Sequence, residues 1–138
     1  LPGVAMVYLC NPNNPTGMLL PAADLAAFAR SLPPRVTLLV DEAYMELADD
    51  PAGSTMLPLV RAGANVIVTR TFSKLFGMAG LRIGYAVASP ANAAELKRHR
   101  LTISLNAPGL AAAIAAWDDR GFQQSSRAQI LAARKLLE

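Results

Sequence analysis

Several polar residues in this sequence stand where apolar neighbours ought to bury them, and their types suggest chemistry. Asp41 follows the apolar run Val36–Val40 (VTLLV), so its carboxylate leaves a buried strand beside low-dielectric surroundings. A carboxylate there must be paired or hydrogen-bonded, and a bound cationic group would satisfy it. The plainer alternative is that Asp41 caps the segment that follows. Tyr44, three residues on, either turns its hydroxyl toward the same place or packs. Lys74 is flanked by Phe72, Ser73, Leu75 and Phe76, whereas Lys97 and Lys135 lie among polar neighbours on expected helices. A lysine in apolar surroundings has a lowered tendency to be charged, which frees its amine to form imines with carbonyl compounds. Thr71, Ser73 and Arg82 add hydroxyls and a planar guanidinium, a set suited to a phosphate.

A Thr-x-Ser-Lys string is weak evidence alone. Coupled to a strand-end aspartate and the Asn-rich turn Asn11–Gly17 (NPNNPTG), it describes a carbonyl cofactor with a phosphate tail and a protonatable ring. Pyridoxal phosphate is the cofactor that asks for this set. Metal and triad chemistry lack material, because His99 is the only histidine and sits in the basic run Lys97–Arg100. That run reads as a solvated helix face rather than a nucleic-acid patch.

The elements that must position these residues follow from the apolar pattern. Val4–Cys10, Val36–Val40 and Asn65–Arg70 are short bounded apolar runs that read as buried strands. Between them, Pro21–Leu32 is expected to be helical, with Leu25, Phe28, Ala29 and Leu32 on one face, and a short helix is expected over Met56–Ala62. Strands alternating with helices imply right-handed crossovers and a parallel sheet. The strand at Arg82–Ala88 starts too soon after Arg70 for a parallel return and is expected to run antiparallel. The fold class is therefore α/β, a mostly parallel sheet with one antiparallel strand and helices on both faces. Helices are expected over Ala91–Ile103 and from Pro108 to Asp118–Asp119. A last, amphipathic helix is expected to carry Phe122, Ile130, Ala133 and Leu137 along a stripe. Functional groups should gather at the carboxyl ends of the parallel strands.

Composition excludes several classes. With 138 residues, 53% hydrophobic and 17% charged, the chain fits one domain and is not disordered. One cysteine, Cys10, cannot form a disulfide within the chain, and a net charge of +3 does not call for nucleic acid. The uncharged stretch Leu1–Ala23 is broken by Asn11–Pro15, which a bilayer helix would not tolerate, and no signal peptide is legible. The chain reads as an internal piece of a longer protein, since it opens on Leu1 in a strand-like run and stops at Glu138 in a helical pattern.

Three motifs in order, NPNNPTG at 11–17, DEAY at 41–44 and TFSKLFGMAGLRIGY at 71–85, resemble the pyridoxal-phosphate-dependent class I/II aminotransferases of fold type I. The continuous TFSK…AGLRIGY wording is most similar to the histidinol-phosphate aminotransferase branch of that family. The resemblance implies that Lys74 carries the cofactor as a Schiff base and shuttles the proton as general base and acid. It implies that Asp41 holds the ring nitrogen protonated, that Asn14 and Tyr44 bond the ring's 3′-oxygen, and that Ala43 lies against one ring face. Thr71, Ser73 and Arg82 would hold the phosphate, and Pro12, Pro15 and Gly17 would shape the turn that aims Asn14. Residues 1–119 would be the central part of the cofactor-binding large domain, and 120–138 the start of a helix leading to a small domain. The resemblance also implies a cytoplasmic homodimer acting on amino-acid and keto substrates, with no nucleic-acid or membrane partner. A chain limited to these residues is expected to be inactive alone.

Three other readings compete. VTLLVDEAY looks like a Walker B strand, yet no GxxxxGK[ST] motif occurs in the chain. Pyridoxal-phosphate-dependent amino-acid-phosphate decarboxylases share the three motifs. An aminotransferase-like effector-binding module of a transcription regulator would keep the same cofactor residues without catalysing.

Overall fold

The computed structural model describes residues 2–101 and 104–136. They sort into two compact units, Leu1–Arg70 with Tyr85–Arg100, and Thr71–Gly84 with Leu101–Glu138.

The first unit is built on a sheet in the order β1 (Met6–Cys10), β2 (Thr37–Asp41), β3 (Val66–Thr71) and β4 (Gly84–Ala88). Strands β1, β2 and β3 are parallel, with Cys10 opposite Asp41 and Asp41 opposite Thr69. Each strand begins one or two residues later than its apolar run, as the first residues of each run serve the preceding turn. The sheet is mixed. Just past β3 the Phe72 N–H donates to the Ile83 carbonyl at 3.1 Å, immediately before β4 starts, so the chain doubles back and β4 runs antiparallel.

Helix α1 (Ala22–Ser31) and the short helices α2 (Pro51–Ser54) and α3 (Leu57–Arg61) make the crossovers. Leu25 from α1, Met56, and Val60 from α3 close on Leu38, Val40, Val66 and Val68 of the sheet, and all seven are buried. Each such side chain contributes about 1.5–3 kcal/mol when fully removed from water. Ala22, Ala29 and Leu32 flank Leu25 on that face. Phe28 was expected there, but it is exposed, because the stripe that meets the sheet runs through positions 22, 25, 29 and 32. Between β2 and α3 the chain forms a 3₁₀ turn at Met45–Leu47 before α2. Helix α4 (Pro90–Arg98) starts on Ser89, whose hydroxyl accepts from the Asn92 N–H, and ends well before Ile103, a position outside the described residues.

In the second unit, Phe72, Leu75, Phe76 and Ile83 are buried together with Ala113 of α5 (Ala107–Asp118). Phe72 lies 4.7 Å from Phe76 and 6.3 Å from Trp117, centroid to centroid. Helix α5 is capped by Asn106, which accepts from the Gly109 N–H at 2.6 Å and donates to the Leu81 carbonyl at 2.8 Å. Pro108 thus lies inside the first turn, where its missing N–H costs nothing. Helix α6 (Arg120–Arg134) is capped by Asp119, and its Ser126 hydroxyl donates to the Leu75 carbonyl at 2.7 Å. The expected amphipathic stripe is not buried in this chain: Phe122, Ile130 and Ala133 are exposed, and Leu137 lies outside the described residues. The side of α6 bearing Ser126 is the one that packs, so amphipathicity identified the helix but not its inner face.

Candidate active site

Parallel pairing brings the end of β2 level with the ends of its neighbours, so Cys10, Asp41 and Thr69 form one row across the sheet. Residues two apart on a strand share a face. Tyr8 therefore stands on the Asp41 side, diagonally below it on β1. Its hydroxyl donates to Asp41 Oδ2 at 3.0 Å. Asp41 Oδ1 accepts from the Ala43 N–H at 3.1 Å and from the Thr69 hydroxyl at 3.4 Å. The bond to Ala43 is the local capping role considered above, and it coexists with the other two. Among the described residues no cation forms an ion pair with Asp41. Hydrogen bonding to Asp41, followed by burial, pushes the Tyr8 phenol up to about 12.

The turn after β1 is tied down by Asn11, which is 1% exposed. Its Oδ1 accepts from the Leu20 N–H at 2.8 Å, and its Nδ2 donates to the Leu20 carbonyl at 3.3 Å. Inside this clamp Gly17 adopts φ +71°, a conformation that favours glycine, and its N–H donates to the Asn13 carbonyl at 2.8 Å. The turn presents Asn14 at the surface, where Nδ2 donates to the Tyr44 hydroxyl at 3.3 Å. Pro12, Asn13, Asn14, Pro15, Gly17 and Tyr44 line an open depression of about 240 Å³. The structure thus joins Asn14 with Tyr44, residues thirty positions apart.

Glu42 faces the opposite way from Asp41. It is fully buried, and Arg70 reaches its Oε2 with Nε at 3.1 Å and a terminal nitrogen at 2.7 Å. Oε1 accepts from the Met56 N–H at 2.7 Å, and the Thr55 hydroxyl lies 2.7 Å from Oε2. Burial works against the Arg70 charge, but Glu42 outweighs it and holds the guanidinium above its ordinary value. Burial pushes the carboxyl of Glu46, 3.3 Å from Arg70, above its ordinary value despite that partner. A carboxylate so fully engaged has no position left for a magnesium ion or a water. That argues against the Walker B reading, in which the Asp41–Glu42 pair would hold a magnesium ion and a water.

In the second unit the Thr71 hydroxyl lies 2.9 Å from that of Ser73 and accepts from the Ser73 N–H at 3.0 Å, so the two hydroxyls stand side by side. The apolar flanks of Lys74 do not surround it. Phe72, Leu75 and Phe76 turn into the core while Lys74 is exposed, because the Gly77 N–H to Lys74 carbonyl bond (2.9 Å) closes a turn that points them apart. Neighbours of Lys74 along the chain are thus not its surroundings in space. Arg82 lies outside β4, in a left-handed conformation at φ 55°, ψ 49°, with a terminal nitrogen 2.6 Å from the Ala79 carbonyl. A non-glycine residue held there is strained, and such strain tends to cluster at functional sites.

Sequence reading missed Tyr8, Thr69, Asn11 and the Glu42–Arg70 pair. Two-residue spacing back from Cys10 and Thr71 would have flagged Tyr8 and Thr69 as sharing a face with the strand ends, but only the register shows which carboxylate they meet.

The family described as aminotransferase class I and II matches residues 2–138. The histidinol-phosphate aminotransferase of Granulibacter bethesdensis is 46% identical over 136 residues, covering 99% of this chain and 37% of the relative. The crystal structure of histidinol-phosphate aminotransferase from Sinorhizobium meliloti in complex with pyridoxal-5′-phosphate superposes with a TM-score of 0.88 at 38% identity, covering 95% of this chain and 35% of that one. L-Threonine-O-3-phosphate decarboxylase from Porphyromonas gingivalis superposes less well, with a TM-score of 0.75 at 26% identity over 86% of this chain and 36% of that one. The chain thus spans little more than a third of the length of these proteins.

Proposed function

The chain belongs to the class I and II aminotransferases, and from that premise we propose that it is the central part of a pyridoxal-phosphate-dependent transaminase resembling histidinol-phosphate aminotransferase. The reaction proposed moves an amino group between glutamate and a 2-oxo or phosphorylated keto compound. Residues 1–119 would belong to the cofactor-binding domain, with 120–138 leading toward a small domain. The full protein would be a cytoplasmic homodimer. Among the described residues no helix is long and apolar enough to cross a membrane.

The observation that carries the proposal is the Asp41 carboxylate, presented at a strand end, held by three donors and paired with no cation among the described residues. A protonated pyridine nitrogen is the ligand group that complements it, and the other residues fit the rest of such a cofactor. Asn14 and Tyr44 offer an amide and a phenol to a ring oxygen. The paired hydroxyls of Thr71 and Ser73 and the Arg82 guanidinium suit a phosphate. Ala43 would leave room for a planar ring where a larger side chain would collide. Bound pyridoxal phosphate would supply an aldehyde to take up the amino group and a ring to delocalise the electron pair left on the substrate.

The chain's own residues would do the remaining work. Lys74 Nζ would hold the cofactor covalently until substrate arrives, then take a proton from the substrate's α-carbon and return it to C4′ of the cofactor. Asp41 would keep the ring nitrogen protonated, so that negative charge developing on the substrate is stabilised. The greater likeness to histidinol-phosphate aminotransferases than to the phosphate decarboxylase favours transamination over decarboxylation.

The test is borohydride reduction of the cofactor-loaded full-length protein, followed by peptide mapping. The label is expected on Lys74, and a label at any other residue overturns the reading. Turnover of glutamate with imidazole-acetol phosphate, compared with aromatic keto acids and threonine phosphate, then separates the transaminase from the decarboxylase. A cofactor-loaded protein inert toward all of them would support the effector-binding alternative.

A further inference from the structure

We infer that Tyr8 is a positioning residue for Asp41: its hydroxyl bond to Oδ2 orients the carboxylate and keeps a shared proton on the nitrogen of the cationic ligand that Asp41 receives. The inference rests on the transaminase reading, and it adds a residue from a strand that none of the three motifs includes.

An ionised carboxylate offers about four acceptor positions, two on each oxygen. Oδ1 is filled, by the Ala43 N–H at 3.1 Å and the Thr69 hydroxyl at 3.4 Å. Among the described residues Oδ2 has one bond, from Tyr8 at 3.0 Å, and keeps one position for a ligand. Tyr8 therefore shares the oxygen that has a position open to a ligand, and its bond joins those at Oδ1 in fixing the rotation of the whole carboxylate. A donor on the charged form of an acid favours that form. With Tyr8 in place, a proton lying between Oδ2 and a pyridine nitrogen stays on the nitrogen. Burial is not the reason for Tyr8: it is 59% exposed on the open side of β1, so the bond contributes little to stability. The raised phenol pKa accords with a bond to a carboxylate that stays charged.

The test uses the full-length protein loaded with pyridoxal phosphate labelled with ¹⁵N in the ring, comparing wild type with Tyr8→Phe. The variant is expected to bind cofactor roughly tenfold more weakly, the loss typical of one hydrogen bond to a charged group. Its ring-nitrogen resonance should move toward the unprotonated pyridine range, a change that a merely structural role would not produce. A variant with wild-type affinity and an unmoved ¹⁵N resonance overturns the inference while leaving the transaminase reading intact. A wild-type protein that takes up no cofactor overturns both. If Tyr8→Phe fails to fold, the ¹³Cζ resonance of Tyr8 in the wild type decides. A shift on cofactor loading supports the shared oxygen, and an unchanged resonance overturns it.

Discussion

Glu42 and Arg70 form a forked ion pair from neighbouring strand ends, at 2.7 and 3.1 Å, with the carboxylate wholly out of solvent. Glu42 is the residue after Asp41, so this pair anchors the chain where it leaves β2. Asp41 then faces one side of the sheet while its neighbour is locked on the other.

Removing one partner should be costly. Glu42→Ala leaves the Arg70 charge with Glu46 as its remaining ion-pair partner and is expected to lose up to about 3 kcal/mol of stability by urea unfolding. Replacing both residues with methionine should cost much less than the two single changes together. Strict additivity would show that the pair is not coupled.

Tyr8 should titrate late. Its phenol is pushed up to about 12 by the bond to Asp41, against an ordinary value of 10.0. The folded value lies above the unfolded one, so the stabilisation is fully present below pH 10 and is lost as pH rises through about 12. Tyrosinate absorbance should show a component near pH 12 that Tyr8→Phe abolishes. Loss of a component near pH 10 instead would disprove the bond.

The clamp at Asn11 should govern the whole turn that carries Asn14. Asn11→Ala leaves the Leu20 N–H and carbonyl without their partners, a loss of about 1–3 kcal/mol. Amide exchange at Leu20 should accelerate, and Asn11→Asp, which keeps the acceptor, should fall between. Unchanged exchange in Asn11→Ala would show that the loop is held elsewhere.

At Arg82, stability and binding should separate. Arg82→Gly removes the strain of φ 55°, about 1 kcal/mol, and also the bond to the Ala79 carbonyl. The melting temperature is therefore expected to hold or rise slightly, while affinity for the phosphate-bearing cofactor falls at least tenfold. Arg82→Lys should keep the charge but not the planar fork, and recover only part of that affinity. Equal losses of stability and affinity in Arg82→Gly would argue for a purely structural arginine.

The strands, the crossover helices and the reversal into β4 were legible because they depend on local information, namely apolar runs, turn residues and the length of chain between them. The same holds for Asp41 as a strand-end acid, whereas the direct bond between Asn14 and Tyr44 is a finding of the structure. Burial was less legible. Phe28, Phe122 and Ile130 fit apolar stripes and are exposed, because a stripe shows that a helix has an apolar side but not which of its positions meets a neighbour. Lys74 repeats the lesson, since its chain neighbours pack inward while it points out.

Sequence by itself determined the kind of fold and the residue types gathered at its strand ends, because both follow from short-range patterning and spacing. Only the tertiary structure decided that Tyr8 and Thr69 share Asp41 with the Ala43 amide, and that Glu42 belongs to Arg70. Those partners lie on different strands, and which side chains meet is set by inter-strand register, a long-range relationship that no single segment of the chain encodes.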